Sequence, residues 1–160
     1  MVICIAIGNA LRGDDGVARY ALSLIPSSDR MRLMEVFQLT PELACEIATA
    51  DVVFFLDADA SAAEVALAPI ETHAGNGSPL VHSMSPAELV AVARRLYAFA
   101  GQALLCRIPA KQFGFGEELT LEAKAAARSA ASMIAEYAAW TGQTPEAKSH
   151  SNSTRDASAG

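Results

Sequence analysis

Three residues of this sequence could together hold a divalent metal ion. Asp15 closes a glycine-rich stretch, Asp57 ends a strongly apolar run, and His82 lies shortly before a helix-like segment. Two carboxylates and one imidazole suit an ion of borderline hardness, and three protein ligands leave coordination positions open. Each residue alone is a weak signal. The three therefore indicate a metal site only if the fold brings them to one place.

The residues around Asp15 predict a strand, a loop and a helix. The apolar run Val2–Ile7 has the length of a buried strand, and Gly8 begins a turn in which glycines permit unusual backbone angles. Asp14 and Asp15 then open a segment with helical periodicity. The simplest interpretation of both acids is structural, because carboxylates are favoured in the first turn of a helix.

The rest of the chain continues the alternation of strands and helices. A Ser85–Glu88 capping box opens one helix, and the continuous apolar run before Asp57 is typical of a central strand in a parallel sheet. Strands are predicted at residues 31–39, 51–57, 65–72 (at an edge) and 103–108, with helices at 42–49, after Ser85 and at 120–140.

This order predicts an α/β fold, a three-layer α/β/α sandwich around a mostly parallel, twisted sheet of about five strands. Right-handed crossovers collect the carboxyl ends of the parallel strands at one edge of the sheet, where such sheets bind ligands. Asp15, Asp57 and His82 should all lie at that edge.

Length and composition limit the domain count. The 160 residues are expected to form a single domain at 1–142, followed by a polar tail at 143–160 that lacks apolar periodicity. We expect this tail to be disordered, and a chain ending at Gly142 should keep its melting temperature.

Charge and hydropathy limit the classes of binding partner and the cellular compartment expected for the protein. The formal charge of −6 argues against nucleic acid and anionic membranes, and no segment is apolar enough to cross a membrane. Cys4, Cys45 and Cys106 lie in apolar segments without a CxxC pair, so buried free thiols in a reducing cytoplasm are expected. The absence of a basic leader before the first apolar run also favours a cytoplasmic location.

The sequence resembles the hydrogenase maturation proteases over about residues 2–137. These enzymes trim a C-terminal extension from the large subunit of nickel–iron hydrogenases. The resemblance is carried by Gly8-Asn9-x-x-x-x-Asp14-Asp15-Gly16, by Asp57-Ala58 at a strand end, by His82-x-x-x-x-x-Glu88-Leu89, and by the stretch Phe-Gly-Phe-Gly-Glu at 113–117. Ala6 and Ala18 stand where the family commonly has glycine, and residues 38–43 replace a glycine-rich turn. These departures concern loop shape rather than ligands.

The resemblance implies an endopeptidase in which Asp15, Asp57 and His82 are the catalytic and metal-contacting residues. It implies that nickel arrives in the precursor of the hydrogenase large subunit and marks that substrate as ready; cadmium or zinc could replace it in vitro. The metal could polarise the scissile carbonyl, activate water or serve recognition alone, and the sequence leaves these open. The protein is expected to be a monomer in isolation.

Two other functions fit part of the sequence. The apolar run followed by Asp57 and Asp59 resembles the nucleophile motif of haloacid-dehalogenase-like phosphohydrolases, in which Asp57 would attack phosphate and Asp59 would act as an acid. A non-enzymatic nucleotide-binding module would use the first glycine turn, although Asp14 and Asp15 would repel phosphate there. In a third interpretation all three candidate ligands are only structural.

Overall fold

The computed structural model describes residues 1–72 and 84–141. The predicted tail at 143–160 therefore lies outside the described residues. The elements, in chain order, are β1 (Val2–Ile7), a 3-10 helix (Gly13–Gly16), α1 (Val17–Leu24), β2 (Met31–Val36), α2 (Leu43–Ile47), β3 (Val52–Asp59), β4 (Ala66–Pro69), α3 (Pro86–Tyr97), β5 (Gln102–Pro109) and α4 (Leu121–Thr141).

Five strands form one sheet in the order β2-β1-β3-β5-β4. The first four strands in this order pair in parallel, and β4 pairs with β5 in antiparallel orientation at the edge. The predicted mostly parallel sheet and the edge position of the fourth strand are thereby confirmed. The central place of β3 explains its composition, because residues 52–56 must be buried on both faces of the sheet.

Helices cover both faces of the sheet and complete the three layers. One core lies under α1 and α4, where Phe54 and Leu56 of β3 meet Ala21 and Ala127. The other core lies under α2 and α3, where Phe55 meets residues such as Leu89. Successive residues of β3 thus pack alternately into the two cores, because side chains alternate between the two faces of a strand.

The capping box of α3 is present as predicted. The Glu88 backbone N–H donates to Ser85 Oγ at 3.2 Å, and the Ser85 backbone N–H donates to Glu88 Oε2 at 2.8 Å. Pro86 occupies the first helical position, where its missing N–H costs no hydrogen bond. This local signal therefore located a helix start without tertiary information.

Several boundaries and one burial expectation differ from the sequence-based ones. β3 continues through Asp59, because its ladder with β5 extends to the pair Asp59 and Pro109, so Asp57 lies within the strand and not at its end. β2 ends at Val36, three residues early. Cys45 is exposed on α2, so only Cys4 and Cys106 are buried thiols. None of the described helices combines the length and apolarity needed to span a membrane.

Candidate functional site

The loop between β1 and the 3-10 helix folds back onto Asp15. Gly8 has φ +140°, and a Cβ atom at this position would lie 2.3 Å from the backbone carbonyl oxygen of Asp15. Only glycine allows this approach without a clash. The Asn9 backbone N–H then donates to Asp15 Oδ2 at 2.8 Å. The loop therefore orients the half-buried Asp15 carboxylate at the carboxyl end of β1.

Asp57 lies on the neighbouring strand and interacts electrostatically with Asp15. It follows Leu56, which pairs with Ala6 of β1, and its side chain is half-buried. Burial raises the pKa of Asp57 to about 6; a hydrogen bond from the Ala58 backbone opposes this rise, while the carboxylates of Asp15 and Asp59 add to it. A bound cation or a retained proton would relieve the repulsion that the negative charge of Asp15 exerts on an ionised Asp57.

Asp14, next to Asp15, has the structural role that the sequence allowed, but its partners are distant backbone donors that the sequence did not predict. It is fully buried and accepts backbone N–H donors from Lys111 at 3.0 Å, Gln112 at 3.1 Å and Thr120 at 2.9 Å. Burial disfavours its charge, but the hydrogen bonds from Thr120, Lys111 and Gln112 together outweigh that effect and lower its pKa. Asp14 thus ties the glycine loop to residues 111–120, and Asp15 alone of the two faces the candidate site.

Lys111 is a second residue without a sequence signal. Its Nζ donates to the carbonyl oxygens of Ala60 at 2.8 Å and Ala62 at 3.1 Å. It therefore connects the turn after β3 to the loop after β5. A single lysine in a loop has no spacing that could have identified this contact.

Asp59, the last residue of β3, binds the turn that follows it. Its Oδ1 accepts the Ser61 backbone N–H at 2.8 Å, the Ser61 hydroxyl at 2.6 Å and the Ala62 backbone N–H at 3.1 Å. The Ser61 bonds lower the pKa of Asp59. A carboxylate held in its ionised form by local donors is unsuited to act as a general acid, which disfavours the phosphohydrolase alternative.

His82 lies outside the described residues. Met84, the second residue after it, forms a bridge with Leu39, beyond the carboxyl end of β2. Within residues 1–72 and 84–141, no three histidine, cysteine, aspartate or glutamate side chains are placed to hold a metal ion. The described structure therefore brings together two of the three predicted ligands, and the metal-binding role of the set stays a prediction.

A cleft opens beside Asp15. Its volume is about 340 Å³, and it is lined by the loop after β1, by the end of β2 and by Glu117. A larger cavity of about 630 Å³ lies at the amino ends of the strands, where Val2, Met31 and Val52 line it. Of the two predicted ligands among the described residues, neither Asp15 nor Asp57 lines that cavity. The chemistry thus points to the smaller cleft, at the edge where parallel sheets bind ligands.

The fold has close counterparts among solved structures. A NiFe hydrogenase maturation protease, HycI, from Thermococcus kodakarensis superposes with a TM-score of 0.67 at 22% identity, covering 84% of this chain and 90% of that one. A hydrogenase 2 maturation peptidase from a Thaumarchaeota archaeon gives a TM-score of 0.63 at 19% identity, with coverages of 86% and 97%. The hydrogenase maturating endopeptidase HybD from Escherichia coli gives 0.64 at 16% identity, with coverages of 89% and 94%.

The similarity lies in the structure rather than in the overall sequence. No protein-family model matches the chain, and no curated protein matches it. At these identities the comparisons establish a shared fold over most of both chains. The fold that the sequence resemblance implied is thereby confirmed.

Proposed function

We propose that this protein is an endopeptidase that removes the C-terminal extension of a nickel-loaded nickel–iron hydrogenase large-subunit precursor. The observation that carries the proposal is the fold shared, over 84–89% of the chain, with three proteins named for hydrogenase maturation. The placement of Asp15 and Asp57 at the ligand-binding edge of that fold supports it.

The nickel ion belongs to the substrate in this proposal. Asp15, held by the Asn9 N–H, and Asp57, with its raised pKa, offer two oxygen ligands at an exposed rim, and His82 would add an imidazole. Such a set makes a modest site for a borderline ion, whereas structural metal sites are closed and rich in stronger ligands. A modest site suits a protein that must distinguish loaded from unloaded substrate, because the metal completes the contact only in the complex.

The two alternatives are less well supported by the site. The phosphohydrolase needs Asp59 as an acid, yet Ser61 and Ala62 hold Asp59 as a turn carboxylate. Hydrolysis of nitrophenyl phosphate in the presence of magnesium would support the phosphohydrolase alternative. The nucleotide module needs positive potential at the glycine loop, where Asp14 and Asp15 stand instead. A thermal shift with nucleotides would favour that module.

The deciding experiment compares nickel-loaded with nickel-free precursor of the hydrogenase large subunit. We expect loaded precursor to lose its extension and nickel-free precursor to persist. His82→Ala should abolish cleavage, whereas His73→Ala, at another histidine of the same undescribed segment, should not. Failure to cleave loaded precursor would overturn the proposed function. Cleavage of nickel-free precursor at the same rate would overturn only the role given to nickel.

A further inference from the structure

The cleft beside Asp15 continues into a second cavity. This second cavity has a volume of about 500 Å³ and lies between α1, β2 and the loop before α4. Four residues line both cavities: Ala10, Arg19, Glu35 and Glu117. The two cavities are therefore adjacent, and together we call them the groove; its first cavity lies beside the candidate catalytic carboxylate Asp15.

The cavity of the groove beside Asp15 includes two exposed apolar side chains among its polar lining. Leu11 and Phe37 line it, and both are exposed, at 56% and 68% of their surface. Phe115 is fully exposed. It is also near Leu11 in space, because the next residue, Gly116, donates its backbone N–H to the Leu11 carbonyl. Large apolar side chains left exposed around a polar site are typical of a surface that binds another molecule.

The charge along the groove is negative. The charged residues that line it are Asp15, Arg19, Glu35 and Glu117. Arg19 Nε pairs with Glu35 Oε2 at 2.9 Å, so these two charges offset each other. Among the described residues Glu117 forms no ion pair, and it faces both cavities. The groove thus presents the apolar side chains of Leu11 and Phe37 near Asp15, and the Glu117 carboxylate where its two cavities meet.

We propose that this groove binds the C-terminal segment of the precursor in an extended conformation. An apolar side chain of that segment would lie between Leu11 and Phe37, and a lysine or arginine would pair with Glu117. This inference rests on the proposed function for the identity of the occupant. The preference for a basic peptide rests on the charges and walls of the groove alone, through complementarity with Glu117.

Kinetics on the precursor test the role of Glu117, with Glu118 as a matched control. Both glutamates are exposed neighbours, but Glu118 lines neither cavity of the groove. With nickel-loaded precursor, Glu117→Lys should raise KM by about tenfold and change kcat by less than about twofold. Glu118→Lys should match the wild type. Equal KM values for the two variants would overturn the inference.

Binding of model peptides tests the groove independently of cleavage. The probes are two capped hexapeptides, one alternating leucine with lysine and the other alternating leucine with glutamate. In NMR titrations the lysine peptide should shift the amide signals of Leu11, Phe37 and Glu117, and Glu117→Lys should remove these shifts while Glu118→Lys keeps them. Shifts elsewhere on the surface, or equal shifts with the glutamate peptide, would contradict the proposal.

The precursor kinetics and the peptide titration together distinguish failure of the groove assignment from failure of the proposed function. If wild-type protein cleaves loaded precursor but Glu117→Lys leaves KM unchanged, the groove assignment is wrong and the proposed function stands. If no precursor is cleaved, the proposed function and the identity of the occupant fall together. The peptide titration then still decides whether the groove selects basic segments.

Discussion

At the scale of single residues, adjacent acids in this chain have opposite roles because their surroundings differ. Asp14 is buried among backbone N–H donors, whereas Asp15 is half-buried at an open cleft. Asp57 and Asp59 also differ in their surroundings. Burial raises the pKa of Asp57, whereas hydrogen bonds from nearby donors lower the pKa of Asp59. In each pair one acid supports the structure and the other is available for chemistry.

The coupling between Asp15 and Asp57 can be measured directly. In the wild type Asp57 should titrate near its raised pKa of about 6. Asp15→Asn removes a nearby negative charge that disfavours ionisation of Asp57, so the pKa of Asp57 should fall. Carbon-detected NMR of the aspartate carboxyl groups would follow both proteins. Asp29→Asn, at an exposed site, is the control, and an unchanged pKa in Asp15→Asn would mean that the two carboxylates are not neighbours.

Asp57→Asn should separate stability from activity. The folded protein holds the Asp57 proton more tightly than the unfolded chain does. The free energy of unfolding therefore falls as pH rises from the ordinary pKa of 3.8 through the raised pKa of about 6. The variant has no carboxylate to ionise at this position, so its free energy of unfolding at pH 7 should exceed that of the wild type by about 1 kcal/mol, a value that allows for solvent screening. The difference should be smaller at pH 4. Urea unfolding at both pH values measures it.

Precursor cleavage should nevertheless be lost in the same variant. Asp51→Asn, just before the opposite end of β3, should leave cleavage intact, because the Asp51 carboxylate pairs with the N-terminal ammonium, far from Asp57. An Asp57→Asn variant that still cleaves at the wild-type rate would remove Asp57 from the site.

At the scale of elements, hydrogen bonds of Asp14 fix three segments relative to one another. The Thr120 hydroxyl donates to Asp14 Oδ1 at 3.1 Å and accepts the Ala123 N–H at 3.1 Å, so the start of α4 is joined to the glycine loop. Gly13 also donates its N–H to the Gly116 carbonyl at 2.7 Å. The loop that holds Asp15 is therefore positioned by the loop before α4 as well as by β1.

Asp14→Asn should destabilise the protein by about 2–4 kcal/mol, because buried N–H donors lose a charged acceptor. The pKa of Asp14 is lowered in the folded state, so its contribution is present above its ordinary value of 3.8 and is lost as pH falls through the lower folded value. The difference between wild type and variant should therefore be large at pH 7 and shrink in acid. Chemical unfolding at pH 7 and pH 3 tests this, with Asp29→Asn as the control. A difference that is constant with pH would show that the ionised carboxylate is not the cause.

The glycine loop offers a second pair of matched variants. Gly8→Ala would place a Cβ atom 2.3 Å from the Asp15 carbonyl oxygen at φ +140°, whereas a Cβ atom at Gly114 meets nothing within 4 Å. Gly8→Ala should cost about 2–4 kcal/mol through strain and displacement of the loop, and Gly114→Ala should change stability by less than about 1 kcal/mol. Thermal unfolding of both variants provides the comparison. Equal stabilities would mean that the loop can move away from β1 without cost.

At the scale of the whole molecule, parallel pairing places the β1, β2 and β3 carboxyl ends at one edge, with the groove beside them. The opposite edge holds the larger cavity, which neither Asp15 nor Asp57 lines. Recognition under the proposed function requires a substrate that reaches both the acidic rim and the groove. An ordinary unstructured peptide would bring neither a metal nor a docked partner.

The protein should therefore be inert towards casein and generic peptides, even with added zinc. Three ligands, two of them hard carboxylates, would make only a modest site for a catalytic ion, so added metal should not create a general protease. A fluorescent casein assay with and without zinc measures this, with nickel-loaded precursor as the positive control. Zinc-dependent casein cleavage that His82→Ala abolishes would show that the protein carries its own metal and does not take it from the substrate.

The sequence by itself determined the layered α/β fold, the central place of β3 and the start of α3 at Ser85. These features follow from local patterns: apolar periodicity, an uninterrupted buried run and a capping box act over a few neighbouring residues. It also singled out Asp15 and Asp57, because both come after apolar runs, residues 2–7 and 52–56.

Only the tertiary structure decided which donors bind the Asp14 and Asp59 carboxylates, how far β3 extends, and that a groove lies beside Asp15. Asp14 is set apart from Asp15 by donors about a hundred positions along the chain, at Lys111, Gln112 and Thr120. The extension of β3 depends on its ladder with β5. Such contacts depend on how distant segments pack, and neither spacing nor composition within one segment contains that information.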